Sequence, residues 1–145
     1  MKHIVVGVDG TPGSFQALSE ALEWARMWDA GLETVSVEEL PHFSDDIEEI
    51  AGAKKAEDGQ FHQVVRRVHE EGRRAGIEVR SHIVTGPPVK TLVRFLTEHP
   101  CDLLVVGASH HGPLVGVLTH STCLGLVHEA PCPVLVIRER KRSPS

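Results

Sequence analysis

Short apolar runs recur along the chain, and between them lie longer stretches whose apolar positions return every three or four residues. His3–Val8, Leu103–Val106 and Val134–Ile137 are nearly continuous apolar segments. They lack the polar alternation of a half-wet strand and therefore read as strands covered on both faces. Leu32–Val37 alternates in part, and Ile77–Val84 alternates throughout, as expected of a strand near a sheet edge. Helical spacing appears at Leu18, Ala21, Leu22 and Ala25, then at Phe61, Val64, Val65, Val68 and Ala75, and again at Val89, Leu92, Val93 and Leu96. Thr11 suits the N-cap of the first of these helices with Pro12 at its first position, and Gly31 is its expected stop. Gly76 closes the second helix, Gly86-Pro87-Pro88 opens the third, and His99-Pro100 ends it. Residues 38–59 hold Pro41, Gly52 and an acidic run, and are expected to form a surface excursion with one fragment of helix. A fourth, short helix is expected between the loop after Gly107 and the turn Pro131-Cys132-Pro133.

Strands alternating with helices predict βαβ crossovers and a parallel sheet in one α/β domain. The two most uniformly apolar long strands, Ile4–Val8 and Leu103–Val106, are expected side by side at its centre. Helices leaving them toward opposite faces open a crevice at their carboxyl ends, and Asp9 and Gly107 both fall there. Strand, small-residue loop and helix N-terminus together make a recipe for an anion site.

Four segments carry a family resemblance: HIVVGVDGTPGSFQAL at the start, VTGPPVKTL in the middle, and VVGASHHGPLVGVLTHS followed by APCPVLVIR near the end. In this order they resemble universal stress proteins, over residues 1–138, with 139–145 left as a basic tail. The resemblance implies a Rossmann-like open sheet of five parallel strands in the order 3-2-1-4-5 with helices on both faces. It also implies a homodimer, some members binding ATP and others not. The last strand, Val134–Ile137, falls at a sheet edge in that order, and a short apolar edge is commonly covered by a second chain.

The same resemblance assigns the site. Asp9 matches an aspartate near the adenosine, with a turn-capping carboxylate as its other reading. Val8 and Val37 would line the adenine slot, Val106 and Gly107 its floor, and Ser121 and Thr122 the phosphate end. In ATP-binding relatives the loop carries three glycines and then serine or threonine. Here the same spacing reads Gly107, two residues, His110, nine residues, His120, Ser121, so both later glycines are histidine, while Gly112 and Gly116 persist inside the loop. Glycine lets backbone N–H groups approach phosphate with no Cβ in the way. Two imidazoles would either fill the phosphate volume or, protonated, donate charge-assisted hydrogen bonds to it. ATP or AMP is thus the expected ligand, weakly held.

The remaining composition narrows the alternatives. The formal net charge is −5, and the one basic cluster is Arg138–Arg142, so nucleic acid is not an expected partner. No apolar run approaches bilayer-spanning length, and Met1-Lys2-His3 leads straight into a strand, so a cytoplasmic protein away from membranes is expected. Three cysteines, Cys101, Cys123 and Cys132, are an odd set without a C-x-x-C pair and read as small buried thiols, Cys123 being the preferred redox candidate. His110, His111 and His120 with Asp9 have metal-ligand chemistry, but loop histidines commonly sit in solvent, and no metal is expected. Asp45, Asp46, Glu48 and Glu49 lack the alternating spacing and central glycine of a calcium loop. Gly107-Ala108-Ser109 has the start of a nucleophile elbow, yet His111 stands where its closing glycine belongs, and no lysine follows to make a Walker loop. Trp24 and Trp28, one turn apart without interleaved basic residues, suit packing or a partner face. The chain therefore reads as a binding and regulatory module of the stress response with no catalytic residue assigned. The alternative is a weak nucleotide-hydrolysing enzyme in which Asp9 or a loop histidine positions water.

Overall fold

The computed structural model describes residues 1–38, 47–108 and 120–138, with side chains described for all of these except 47–60, 120 and 121. The elements follow in strict alternation: β1 (His3–Gly7), α1 (Pro12–Trp28), β2 (Gly31–Glu38), α2 (Ile47–Ala75), β3 (Val79–Thr85), α3 (Pro88–Glu98), β4 (Leu103–Ala108), α4 (His120–Glu129) and β5 (Val134–Arg138). All neighbouring strands are parallel, in the order β3-β2-β1-β4-β5, which is the order the family resemblance implies. Ile4, Val5 and Val6 stand opposite Leu103, Leu104 and Val105 at the centre.

Each strand divides its side chains between two cores. Ile4, Val6, Leu32, Val79, Leu103 and Val105 pack with Ala17, Leu18, Ala21 and Leu22 of α1 and Val68 of α2. Val5, Val35, Val37, Leu104 and Val106 pack on the other face with Leu92, Phe95 and Leu96 of α3 and Cys123 and Leu126 of α4. Both faces are dry, which is why β1 and β4 carry no polar alternation. The edge strand β3 does alternate, exposing Arg80, Ile83 and Thr85.

The helix ends explain two departures from the sequence reading. Thr11 caps α1 as expected, its Oγ1 accepting from the Ser14 N–H at 3.3 Å, with Pro12 in the first turn. The stop is Asp29, left-handed at φ 52°, and Gly31 instead begins β2, donating its N–H to Lys2 O at 2.8 Å. Asparagine and aspartate are the non-glycine residues that best tolerate that conformation, so the glycine two residues later was free to enter the sheet. Helix α2 starts at Ile47, well inside the expected excursion, and runs through Gly52 and Gly59. A glycine costs only about 1 kcal/mol inside a helix, and the Ala-, Lys- and Glu-rich stretch around these two offsets it. Of the acidic run, Asp45 and Asp46 lie outside the described residues, and Glu48 and Glu49 belong to the α2 backbone. Gly76, at φ 74°, ends α2 as expected, and the following Ile77 N–H reaches back to Gly72 O at 2.8 Å. Trp24 and Trp28 stack at 6.1 Å, Trp24 against the core and Trp28 largely exposed. Among the described residues no helix is long and apolar enough to cross a membrane.

Carboxylates fasten the amino-terminal end of the sheet. Asp102 Oδ2 accepts from the backbone N–H groups of Lys2 at 2.8 Å and His3 at 2.9 Å, tying the start of β1 to the start of β4. Those two bonds hold its carboxyl below the ordinary range. Glu33, only 7% exposed in β2, lies 2.9 Å from His3 Nε2 and 3.4 Å from His82 Nε2. Burial alone would raise its pKa, but the hydrogen bonds and charges of His3 and then His82 outweigh it, and the net shift is downward. A carboxylate with a lowered folded-state pKa contributes stability above its ordinary value, near 4.5 for Glu33, and loses it as pH falls through the folded value. Wild-type Tm should therefore drop as pH falls below the ordinary value near 4.5, and Glu33→Gln should flatten that drop while lowering neutral-pH stability by about 1–2 kcal/mol. Parallel thermal-denaturation curves for the two proteins across that range would refute the assignment.

Candidate functional site

The end of β1 is turned sharply into α1 by a small polar network. Gly10 takes φ 91°, which a residue with a Cβ seldom adopts. Asp9 Oδ1 accepts from the Thr11 N–H at 3.0 Å and from Thr11 Oγ1 at 2.6 Å. Ser14 Oγ donates to Thr11 O at 2.8 Å and accepts a long hydrogen bond from the Asp9 N–H at 3.4 Å. The turn-capping reading of Asp9 is thus realised, and its carboxylate is held at the mouth of the strand ends. Just upstream, the Val8 N–H donates to Val35 O at 3.0 Å and Ser36 Oγ donates to Val8 O at 2.7 Å, locking β1 to β2 where the chain leaves the sheet.

A narrow slot of about 10 Å³ opens beside this turn, lined by Gly7, Val8, Asp9, Val35, Val37, Pro88, Leu92 and Thr122. That is roughly the room of a single water. It sits at the carboxyl ends of β1 and β2, next to the point where the crossovers reverse between β1 and β4. Val8, Asp9, Val37 and Thr122, all expected from the sequence, meet here. The Val8 side chain itself packs on the α1 face, so its main contribution to the wall is backbone. Val106 is wholly buried in the core on the α3 and α4 side. The residues that sequence reasoning missed are Gly7, Val35, Pro88 and Leu92. Two of them were open to inference: Val35 shares a face with Val37, and Leu92 lies one turn after Pro88 on the inner side of α3. Helices α3 and α4 close the slot tightly, since a Cβ on Gly125 would come within 2.9 Å of Val89 Cγ2. At about 10 Å³ the slot is too small for a purine ring as it stands.

Gly107 has a packing role that the sequence reading did not include. It does not end the strand: β4 continues through Ala108, with Gly107 and Ala108 opposite Ile137 and Arg138. A Cβ on Gly107 would collide with the Gly13 carbonyl and lie 2.8 Å from Ser14 N, so the absence of a side chain lets the first turn of α1 press against β4. Cys123 is buried behind the same strand, its Sγ 4.0 Å from Gly107 O. Burial first, and then the nearby Asp9 charge, push its thiol pKa up, which makes it a packing residue and a poor redox centre. His110, His111, Gly112 and Gly116 lie outside the described residues, whereas His120 and Ser121 open α4 with Thr122 in its first turn. Among the described residues no cluster of three His, Cys, Asp or Glu side chains is arranged to hold a metal ion.

The model of the universal stress protein family matches residues 1–138. Universal stress protein Rv1636 of Mycobacterium tuberculosis is 30% identical over 141 residues, covering 94% of this chain and 95% of its own. The structure of universal stress protein UspA from Lactobacillus plantarum superposes with a TM-score of 0.81 at 24% identity, covering 94% of this chain and 97% of that one. A universal stress protein crystallised in complex with cAMP gives a TM-score of 0.69 at 23% identity, covering 94% of this chain and 96% of that one.

The close approach at Gly107 has a measurable consequence. Gly107→Ala should destabilise the chain by about 1–3 kcal/mol in chemical denaturation, because the added methyl meets backbone that cannot rotate away. An unchanged midpoint would mean that the glycine is not required by packing.

Proposed function

Since this chain belongs to the universal stress protein family, we propose that it is a regulatory module that binds an adenine nucleotide in the slot between β1, β2 and the first turns of α3 and α4. The observation that carries this reading is the slot itself: apolar walls from Val35, Val37 and Leu92 beside the Asp9 carboxylate, at the carboxyl ends of parallel strands. Apolar walls suit a purine face, and a carboxylate at the rim suits a ribose hydroxyl donor. The cAMP complex of a structural relative supports the ligand class. Val106 would floor the site, and Gly107 would shape it through the α1 contact. Ser121 and Thr122 would offer hydroxyl and N–H groups to phosphate at the start of α4.

Affinity is low in this reading. The slot must widen before a ring enters, and His110 and His120 stand where relatives carry glycine. Calorimetric titration with AMP and with ATP tests it, followed by analysis of the recovered nucleotide. Weak binding at neutral pH with nucleotide recovered intact is the expected result, and Val37→Phe, which fills the slot, should abolish the heat. Replacing both His110 and His120 by glycine should strengthen ATP binding by about tenfold, ~1.4 kcal/mol. Tight wild-type binding that the double replacement weakens, and that rises below about pH 6.5, would reverse the steric account and make the two imidazoles ligands. Steady release of hydrolysed product would sink the module reading in favour of an enzyme.

The module acts as a homodimer in this reading, paired through β5. Support comes from its edge position and from the exposed Leu135, 37% accessible on its α1 side, while Leu124 and Val127 of α4 are 50% and 54% exposed. Sedimentation at micromolar concentration should give a dimer, and Leu135→Lys a monomer. A wild-type monomer would defeat the pairing.

A further inference from the structure

The end of the sheet opposite the slot carries chemistry that nucleotide binding does not use. Cys101 immediately precedes Asp102 at the entrance to β4, and Cys132 sits between Pro131 and Pro133 at the entrance to β5. Their sulfurs are 3.6 Å apart, within hydrogen-bonding distance, and both residues are partly exposed. We propose that Cys101 and Cys132 form a reversible dithiol–disulfide site, oxidised by a low-molecular-weight disulfide. This reading is independent of the nucleotide site.

Both thiols are presented on restrained backbone. The peptide after Cys101 is clipped by the two hydrogen bonds that Asp102 Oδ2 accepts from Lys2 and His3. Pro131 and Pro133 fix their own φ angles, and a residue before proline is held extended, so Cys132 has little backbone freedom. The Leu104 N–H donates to Pro133 O at 2.9 Å, so the two entrances are already paired. A disulfide bond is about 2.05 Å long, so the sulfurs need close by only about 1.5 Å from their present 3.6 Å, a movement within reach of side-chain rotation.

The exchange begins at Cys132, whose sulfur lies in the turn at the entrance to β5 and 3.6 Å from that of Cys101. Its thiolate attacks one sulfur of the external disulfide, breaks that S–S bond and releases one thiolate, which leaves a mixed disulfide on Cys132. Cys101 then gives up its proton to solvent and attacks Cys132 Sγ, expelling the second external thiol. The protein loses two protons and two electrons, and the external disulfide takes them up to become two thiols. Burial first, and then the hydrogen bond and charge of Cys132, push the Cys101 pKa up to about 12, which disfavours its thiolate while Cys132 is free. Capping Cys132 removes its part of that barrier. Cys123, the sulfur favoured from sequence, is 6% exposed beneath the slot and takes no part.

The link would join the chain on both sides of α4 and hold the edge strand β5 to β4. The test treats the full chain with excess glutathione disulfide, blocks remaining thiols with iodoacetamide and maps peptides without reduction. The expected product is one intrachain Cys101–Cys132 link, lighter by two hydrogens and reversed by dithiothreitol, with Tm raised by roughly 10 °C. Cys123→Ser should link like wild type, whereas Cys101→Ser should stop at a lasting glutathione adduct on Cys132. Recovery of both cysteines alkylated with Tm unchanged would overturn the proposal, as would only interchain links or only glutathione adducts in the wild-type protein.

Discussion

The fold depends on the burial of β1 against β4. Ile4, Val5 and Val6 pair with Leu103, Leu104 and Val105, and alternate members of both strands face opposite cores, so neither face of this ribbon can meet water. Each of these side chains is worth about 1.5–3 kcal/mol when fully buried. Helices must therefore cover both sides, α1 and α2 on one and α3 and α4 on the other. Right-handed crossovers then place β2 and β3 to one side of the pair and β5 to the other. The reversal between β1 and β4 leaves strand ends uncovered at the carboxyl edge, and that is where the slot forms. The same reversal sets the entrances of β1, β4 and β5 together at the amino edge, where Asp102, Cys101 and Cys132 meet.

The carboxyl edge shows how far packing and binding share residues. Gly107 is required by the approach of Gly13 and Ser14, and Asp9 is engaged by Thr11, before any ligand is considered. A conventional motif reading assigns both to a nucleotide. Val35, Val37 and Leu92 are core residues as well, so support for binding comes from the slot these side chains line together and not from any one of them. Loss of Gly107 or Asp9 would disturb α1 along with any site, so stability must be measured alongside affinity.

Element type and core membership were largely legible from apolar periodicity, because a strand dry on both faces and an amphipathic helix leave different spacings. The strand order was not, since it rests on which strand the chain returns to, and only the family resemblance supplied it. The first part of α2 was missed because Pro41, Gly52 and the acidic run were read as a surface excursion, although a helix of 29 residues absorbs both Gly52 and Gly59. The first-helix stop was misplaced because Asp29, not a glycine, adopts the left-handed turn. The pairing of Cys101 with Cys132 was illegible for a plainer reason: 31 positions separate them, and only the β4–β5 pairing makes them neighbours. The slot was half legible, through Val8, Asp9, Val37 and Thr122, while the α3 wall depended on how closely that helix packs against α4.

Strand β2 shows why polarity in a sequence is an uncertain guide to exposure. Glu33, Thr34 and Ser36 gave it a partly wet appearance, yet all three are buried, as is Glu38, which the sequence placed in the excursion that follows. Burial without hydrogen bonds would cost each group a few kcal/mol, so such residues persist in a core only where the neighbours supply partners. Glu33 has His3 and His82, Thr34 Oγ1 donates to Ser81 Oγ at 3.2 Å, and Ser36 Oγ donates to Val8 O. The partners come from β1 on one side and β3 on the other. Polar groups in β2 thus do what apolar ones cannot, fixing the lateral register of three strands by directional bonds. The Ser36 bond falls at the last residue before Asp9, so the position of the slot's carboxylate is set in part by a hydroxyl hidden in the neighbouring strand.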